Sequence, residues 1–184
     1  MPRNEPALPE IEQAVRTLPH EQELAQLATL ASDGFPSASV MHIAADGLVA
    51  YMGVFVRSRK YQQMQADPRV SYAVSHLPPG GYDDRFAVRT LQVRAHASLV
   101  TDAAEIAHAV DLCLEQFPWA TAATFNSARP PEAGARQAFF RLDPIEAVWA
   151  DHSVGLLWRV ILQYAPDGSH LSGSRPYDQE LIAP

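Results

Sequence analysis

Cysteine is nearly missing from this sequence: Cys113 is the only one in 184 residues. No intrachain disulfide can form. Cys113 falls in the apolar register of a predicted helix and reads as a buried core thiol, not a nucleophile. Cations are also scarce. Fourteen Lys and Arg face 21 Asp and Glu, a formal net charge of -7. That balance excludes a broad attraction to nucleic acid or acidic lipid, though a local basic pocket is compatible with it. Aromatic residues do not interleave with cations, as they do in strand-binding surfaces. The apolar runs are far shorter than a membrane span. The opening MPRNEPALPE has no apolar core of the kind a signal peptide needs, so the sequence reads as cytoplasmic. No GxSxG, P-loop or GxGxxG is present, which argues against triad hydrolases and nucleotide-loop folds. The seven histidines are scattered, with no metal-ligand spacing.

What remains is a chain with 47% apolar residues, enough for one domain with a real core. Its most informative stretch is Leu48 to Pro68, LVAYMGVFVRSRKYQQMQADP. It reads as a strand, a polar turn and a helix opening on Ser58, Arg59 and Lys60. This is the only dense cationic spot. Ser58 can cap the helix. A helix start presents unpaired N–H groups and positive dipole potential. With Arg59 and Lys60 beside it, the corner suits a phosphate monoester. The same residues also describe a plain surface helix with two solvated cations.

Taken in order, Leu8 to Leu18 predicts a helix ended or kinked by Pro19. A second helical piece is expected from His20, with Leu24 and Leu27 apolar, and then a short strand over 29–31. Asp33-Gly34 and Asp46-Gly47 read as turns around a strand over about 37–44. The next strand, Leu48–Phe55, is apolar on both faces and should be covered on both. Within it, Gly53 suggests a bulge or a close backbone approach. The helix after Ser58 should stop at Asp67-Pro68. A strand over 70–75 leads to HLPPGGYDDR, a loop. From about Phe86 to Val100, Leu91, Val93, Ala95, Ala97 and Leu99 alternate with Gln92, Arg94, His96 and Ser98, the clearest period-two signal in the chain. Thr101 or Asp102 caps a helix carrying Ile106, Val110, Cys113 and Phe117 at helical spacing. Trp119 and Phe125 are expected to be buried anchors. Three further strands are expected over 136–142, 145–150 and 156–163, with Asp143-Pro144 as a turn. About eight strands joined by short connections predict a mainly β, antiparallel split barrel with flanking helices. The domain spans 8–165, with terminal extensions over 1–7 and 166–184.

These pieces, in this order, resemble the pyridoxamine 5'-phosphate oxidase-like FMN-binding split-barrel family. LATLASDGFPSAS resembles its opening hairpin and VAYMGVFVRSRKYQQMQADPRVSYAV its phosphate-site strand, helix and strand. FAVRTLQVRAHASLV resembles its long central strand, and RLDPIEAVWAD its closing hairpin. The resemblance implies FMN as cofactor and a homodimer with sites lined by both subunits. It assigns Ser58, Arg59 and Lys60 to the FMN phosphate. Val54 and Phe55 run beside the ribityl chain or ring edge, and Met41, with Val40 and His42, sits where the first sheet pair passes the ring. Gln92 and Arg94 would reach the ring of the partner's site, and Trp149 or Trp158 would cover it. Relatives often carry a hydroxyl near Val54 and an arginine in the Met41 strand; this chain has neither. Its ending, with His170, Arg175 and Tyr177, does not match the segment that grips the vitamin's phosphate.

The implied function is therefore an FMN-dependent oxidoreductase acting on an unknown small molecule. The flavin would carry the redox chemistry and the protein would position it. Two alternatives share the fold: a flavin-binding module without turnover, and a barrel carrying F420 or haem. F420 would want an open basic channel, for which only Arg57 is evident. Haem would want an axial ligand such as His42, His76 or His152. No nucleic-acid or membrane partner and no metal site are expected.

Overall fold

The structure is a computed structural model that describes residues 5–130 and 134–177. Among the described residues, three α-helices pack on one curled, antiparallel sheet of nine strands. Helix α1 (Leu8–Glu21) buries Ile11, Val15 and Leu18 against the sheet. It runs through Pro19 rather than ending there. Proline costs little here because the helix has less than a turn left to run, and its carbonyl accepts from Gln116 Nε2 at 2.7 Å.

No second helical piece follows. Strand β1 (Leu24–Leu30) begins at once and buries Ala25, Leu27 and Thr29 in alternation. The three-residue spacing of Leu24 and Leu27 suggested a helix, but Leu24 lies outside the core at 46% exposure. Strand β2 (Pro36–His42) pairs with β1 across the expected turn, where Gly34 has φ +83°. The short β3 (Ala44–Asp46) and β4 (Val49–Phe55) flank Gly47, at φ +63°. Helix α2 (Arg59–Ala66) and β5 (Arg69–His76) follow as expected. Strand β6 (Arg89–Leu99) starts later than expected because Arg85–Ala87 form a helical turn. Its alternation holds: Leu91, Val93, Ala95 and Ala97 are buried, and Gln92, Arg94, His96 and Ser98 are exposed. In α3 (Ala103–Gln116) the cap is Asp102, whose carboxylate accepts from the Ala104 and Glu105 amides. Burial pushes the Cys113 thiol up to about 12, as suits a core residue.

The C-terminal half departs most from expectation. Asp143-Pro144 is not a turn. One strand, β7 (Gln137–Asp151), runs straight through it. Ala95 pairs with Pro144 and Arg94 with Glu146, so Ile145 is the extra residue of a bulge. A bulge tolerates a proline that cannot donate to the ladder. Strand β8 (Arg159–Tyr164) pairs with the second half of β7. The sheet continues past residue 165 into β9 (Leu171–Pro176), within the stretch read as a terminal extension.

Two cores result. Residues from α1 and most strands fill the barrel, around Leu27, Met52, Val93, Phe140 and Trp149. A smaller cluster under α3 joins Tyr51, Ile106, Cys113, Phe117 and Phe139. Gln116 stitches the two. Besides Pro19 it donates to Ile43 O at 2.9 Å, and its Oε1 accepts from Ala45 N at 3.0 Å. Trp119 is not a buried anchor; it is 48% exposed, with its Nε1 donating to Glu23. Phe125 is half-buried against Phe139.

The strand order is β2-β1-β5-β6-β7-β4-β3. Strands β2 and β3 therefore end the hydrogen-bonded path, and β4 lies next to last, beside β3. Strands β2 and β4 approach one another without pairing, and this seam is the split in the barrel.

Candidate functional site

The seam opens where α2 begins. Ser58 caps the helix, its Oγ accepting from Tyr61 N at 3.3 Å. Tyr61 and Met64 anchor the helix on the barrel, with Tyr61 edge-on to Phe140. A polar relay fixes its roll. Thr29 Oγ1 donates to Gln63 Oε1 at 2.7 Å, and Gln63 Nε2 donates to Ser37 Oγ at 3.1 Å. Helix position and barrel seam are thus set by the same contacts.

A cavity of about 230 Å³ lies at this junction. Strand β2 contributes Val40, Met41 and His42, and β4 contributes Gly53, Val54 and Phe55. Ser58 and Lys60 close the helix end, with Phe125 and Gln137 beyond. Gly53 makes no bulge, since β4 pairs with β7 in unbroken register. A Cβ there would sit 3.3 Å from the Phe139 ring, so the close approach is a side chain's. Strand β4 is covered on both faces only as far as Met52. At Gly53 and Phe55 the outer face opens, and Phe55 is 65% exposed.

Lys60 is the only lysine in the chain. Its Nζ lies 2.9 Å from Met41 Sδ, and no carboxylate lines the cavity among the described residues. A thioether is a weak acceptor for an ammonium. The Ser58 amide is already spent on Phe55 O, and the Tyr61 amide on the cap. Among the described residues the Arg59 and Lys60 amides have no acceptor, as expected for the first turn of a helix. The cavity thus offers one ammonium, one hydroxyl and a helix start, against apolar walls.

Of the residues read from sequence, the structure gathers Met41, Val54, Phe55, Ser58 and Lys60 here. Arg59 is exposed and outside the lining. Gln92 and Arg94 are on the outer face of β6, away from this chain's cavity, and Arg94 Nη1 sits 3.4 Å from Glu146. Neither tryptophan covers the site. Trp149 and Trp158 are core residues, at 1% and 5% exposure. The histidines also separate. His76 bonds Gln22 and His152 bonds Arg85 O, whereas the His42 ring leans on Phe117 and Trp119 beside the cavity. Gln137 was missed; its place depends on β4–β7 pairing, which no local pattern reveals.

The fold and this cavity can be set beside known proteins. The family model described as pyridoxamine 5'-phosphate oxidase matches residues 11–147. The chain belongs to that family. No curated protein matches the sequence. Among solved structures, a heme binding protein from Mycobacterium smegmatis aligns at TM-score 0.65 and 19% identity, over 86% of this chain and 59% of that one. The chain therefore spans little more than half of that relative. An F420 reductase aligns at TM-score 0.52 and 22% identity, over 72% and 94% of the two chains. A FAD-binding protein from Mesorhizobium loti aligns at TM-score 0.55 and 18% identity, over 73% and 90%. At these identities the likeness is one of fold, and members of one fold carry different cargoes.

Proposed function

We propose that this chain binds FMN at the β2–β4 seam and serves as a flavin-dependent oxidoreductase for a small molecule. One observation carries the reading: the chain's only lysine lines a cavity at a helix start, and among the described residues its ammonium has a thioether as its one partner. An ammonium held that way is suited to an incoming phosphate. Ser58 Oγ accepts from the helix, which leaves its hydroxyl proton for the same ligand. Val40, Val54, Phe55 and Phe125 offer apolar walls to a flat ring. When bound, a flavin supplies hydride transfer.

The cavity alone is smaller than the range of about 300–1,000 Å³ that small-molecule sites occupy. Val40 and Phe55 beside it are 62% and 65% exposed. A second copy of the chain covering Val40 would complete the wall on that side, so the reading includes a homodimer. Authentic oxidation of pyridoxamine 5'-phosphate is a poor fit. Arg175 is committed to Glu146 from β9, and His170 to Ser169 in the preceding turn.

The test is the absorption spectrum and mass of the chromophore that purifies with the protein. An oxidised-flavin spectrum with the mass of FMN, one per chain, is the expected result. A Soret band and the mass of haem would replace this reading with another.

A further inference from the structure

A second, larger cavity of about 860 Å³ adjoins the first, with Phe55 and Gln137 lining both. It contains Arg57, just past the end of β4, and Arg136, just before β7. The two are held side by side because Val56 N donates to Arg136 O at 3.0 Å, extending the β4–β7 ladder. Their side chains are unusual in this protein. Arg16, Arg69, Arg89, Arg94, Arg141 and Arg175 sit on carboxylates. Arg85 and Arg159 sit over aromatic rings, and Arg129 donates to Asn126 O. Among the described residues, Arg57, Arg59 and Arg136 have no such partner; Arg57 and Arg136 share this cavity, and no described carboxylate lines it. In a chain of net charge -7, unpaired guanidiniums gathered at one opening mark an anion site.

We propose that this second cavity binds a nucleoside phosphate: the phosphate between Arg57 and Arg136, the base against the exposed face of Phe55. The volume is far too large for a lone inorganic anion and falls in the range of small-molecule sites. Two planar guanidiniums match the bidentate geometry of a phosphate. An exposed aromatic ring at the border offers a base a stacking surface. Ser127 holds the dividing wall, its Oγ donating to Gln137 Oε1 at 2.7 Å. The nucleotide has two possible sources, the adenylate half of FAD or a separate nucleotide beside FMN. The joint occupancy rests on the flavin reading of the smaller cavity; the compartment itself does not.

Calorimetric titrations of the full chain decide it, using FMN, FAD and ADP with the wild type and the double variant Arg57→Gln/Arg136→Gln. Both arginines are exposed, so the variant should fold, and its melting temperature checks this. The expected result is at least tenfold tighter binding of FAD than FMN, or ADP binding to the FMN-loaded protein. Either gain should vanish in the double variant while FMN affinity stays within threefold, and Arg57→Lys/Arg136→Lys should retain part of it. FAD no tighter than FMN, together with no ADP binding, overturns the proposal and leaves the FMN site standing. A gain that survives in the Gln variant also overturns it. If FMN fails to bind the wild type, the flavin reading falls, and ADP titrated alone decides the compartment: binding abolished in the double variant supports it, and no binding ends it.

Discussion

Replacing Lys60 by Met removes the ammonium from the β2–β4 cavity but keeps most of the stem's packing. The magnitude follows from the local geometry. Among the described residues Lys60 Nζ bonds Met41 Sδ alone, so little must be broken before it turns to a phosphate. A hydrogen bond to a charged group contributes about 1.5–3 kcal/mol. At about 1.4 kcal/mol per tenfold in Kd, FMN affinity should fall by roughly ten- to a hundredfold. Flavin fluorescence quenching measures this directly. Raising the salt should weaken the wild type more than the variant, because the lost contact is ionic. Thermal stability should be unchanged or slightly higher, since no carboxylate among the described residues holds the ammonium. A second assay uses the sequence itself. Lys60 is the only lysine, so an amine-reactive reagent reads this side chain and the N-terminus alone. Bound FMN should protect the Lys60 peptide and leave the N-terminal one reactive. A Lys60→Met affinity within twofold of wild type, or no protection by FMN, would refute the reasoning.

Three further outcomes test other parts of the account. Arg59→Ala should change FMN affinity less than threefold, because Arg59 is exposed outside the cavity lining; a tenfold loss by the same titration would show that its side chain reaches the ligand. Gln116→Ala should destabilise the fold by about 2–4 kcal/mol in urea unfolding, since it strips partners from Pro19 O, Ile43 O and Ala45 N together; a loss under about 0.5 kcal/mol would mean water replaces them. Burial raises the Glu12 pKa, but the Leu171 amide and Arg16 outweigh it and leave the carboxyl below its ordinary value. A carboxyl depressed on folding stabilises the native state above its unfolded pKa and loses that contribution as pH falls through the folded one. Unfolding midpoints should therefore drop more steeply below about pH 4 for wild type than for Glu12→Gln, and parallel curves would count against the α1–β9 tether.

Local chemistry made the α2 corner legible. Ser58 is a good cap, Asp67-Pro68 is a stop, and the alternation in β6 has no helical reading. Distant pairing hid the rest. The polar segment forming β9 gains its place from distant partners: β8, Glu146 of β7, and Glu12, 159 residues away. Asp143-Pro144 is turn chemistry by any local rule, and only the bulge opposite β6 lets a strand pass through it. Ala25 and Thr29 carry the β1 alternation with small side chains, which left Leu24 and Leu27 to suggest a helix. The site divides in the same way. Ser58 and Lys60 are near neighbours in the chain, and Lys60 stands out by composition alone as its single lysine. Arg136, by contrast, reaches Arg57 only through the β4–β7 ladder.

On the proposed reading, a flavin's phosphate, and not only its ring, is held where β4 passes into α2. Comparing FMN with riboflavin, which lacks that phosphate, isolates the grip. Wild-type protein should bind FMN at least tenfold more tightly than riboflavin, and Lys60→Met should shrink the gap. Equal affinity for the two in the wild type would contradict it.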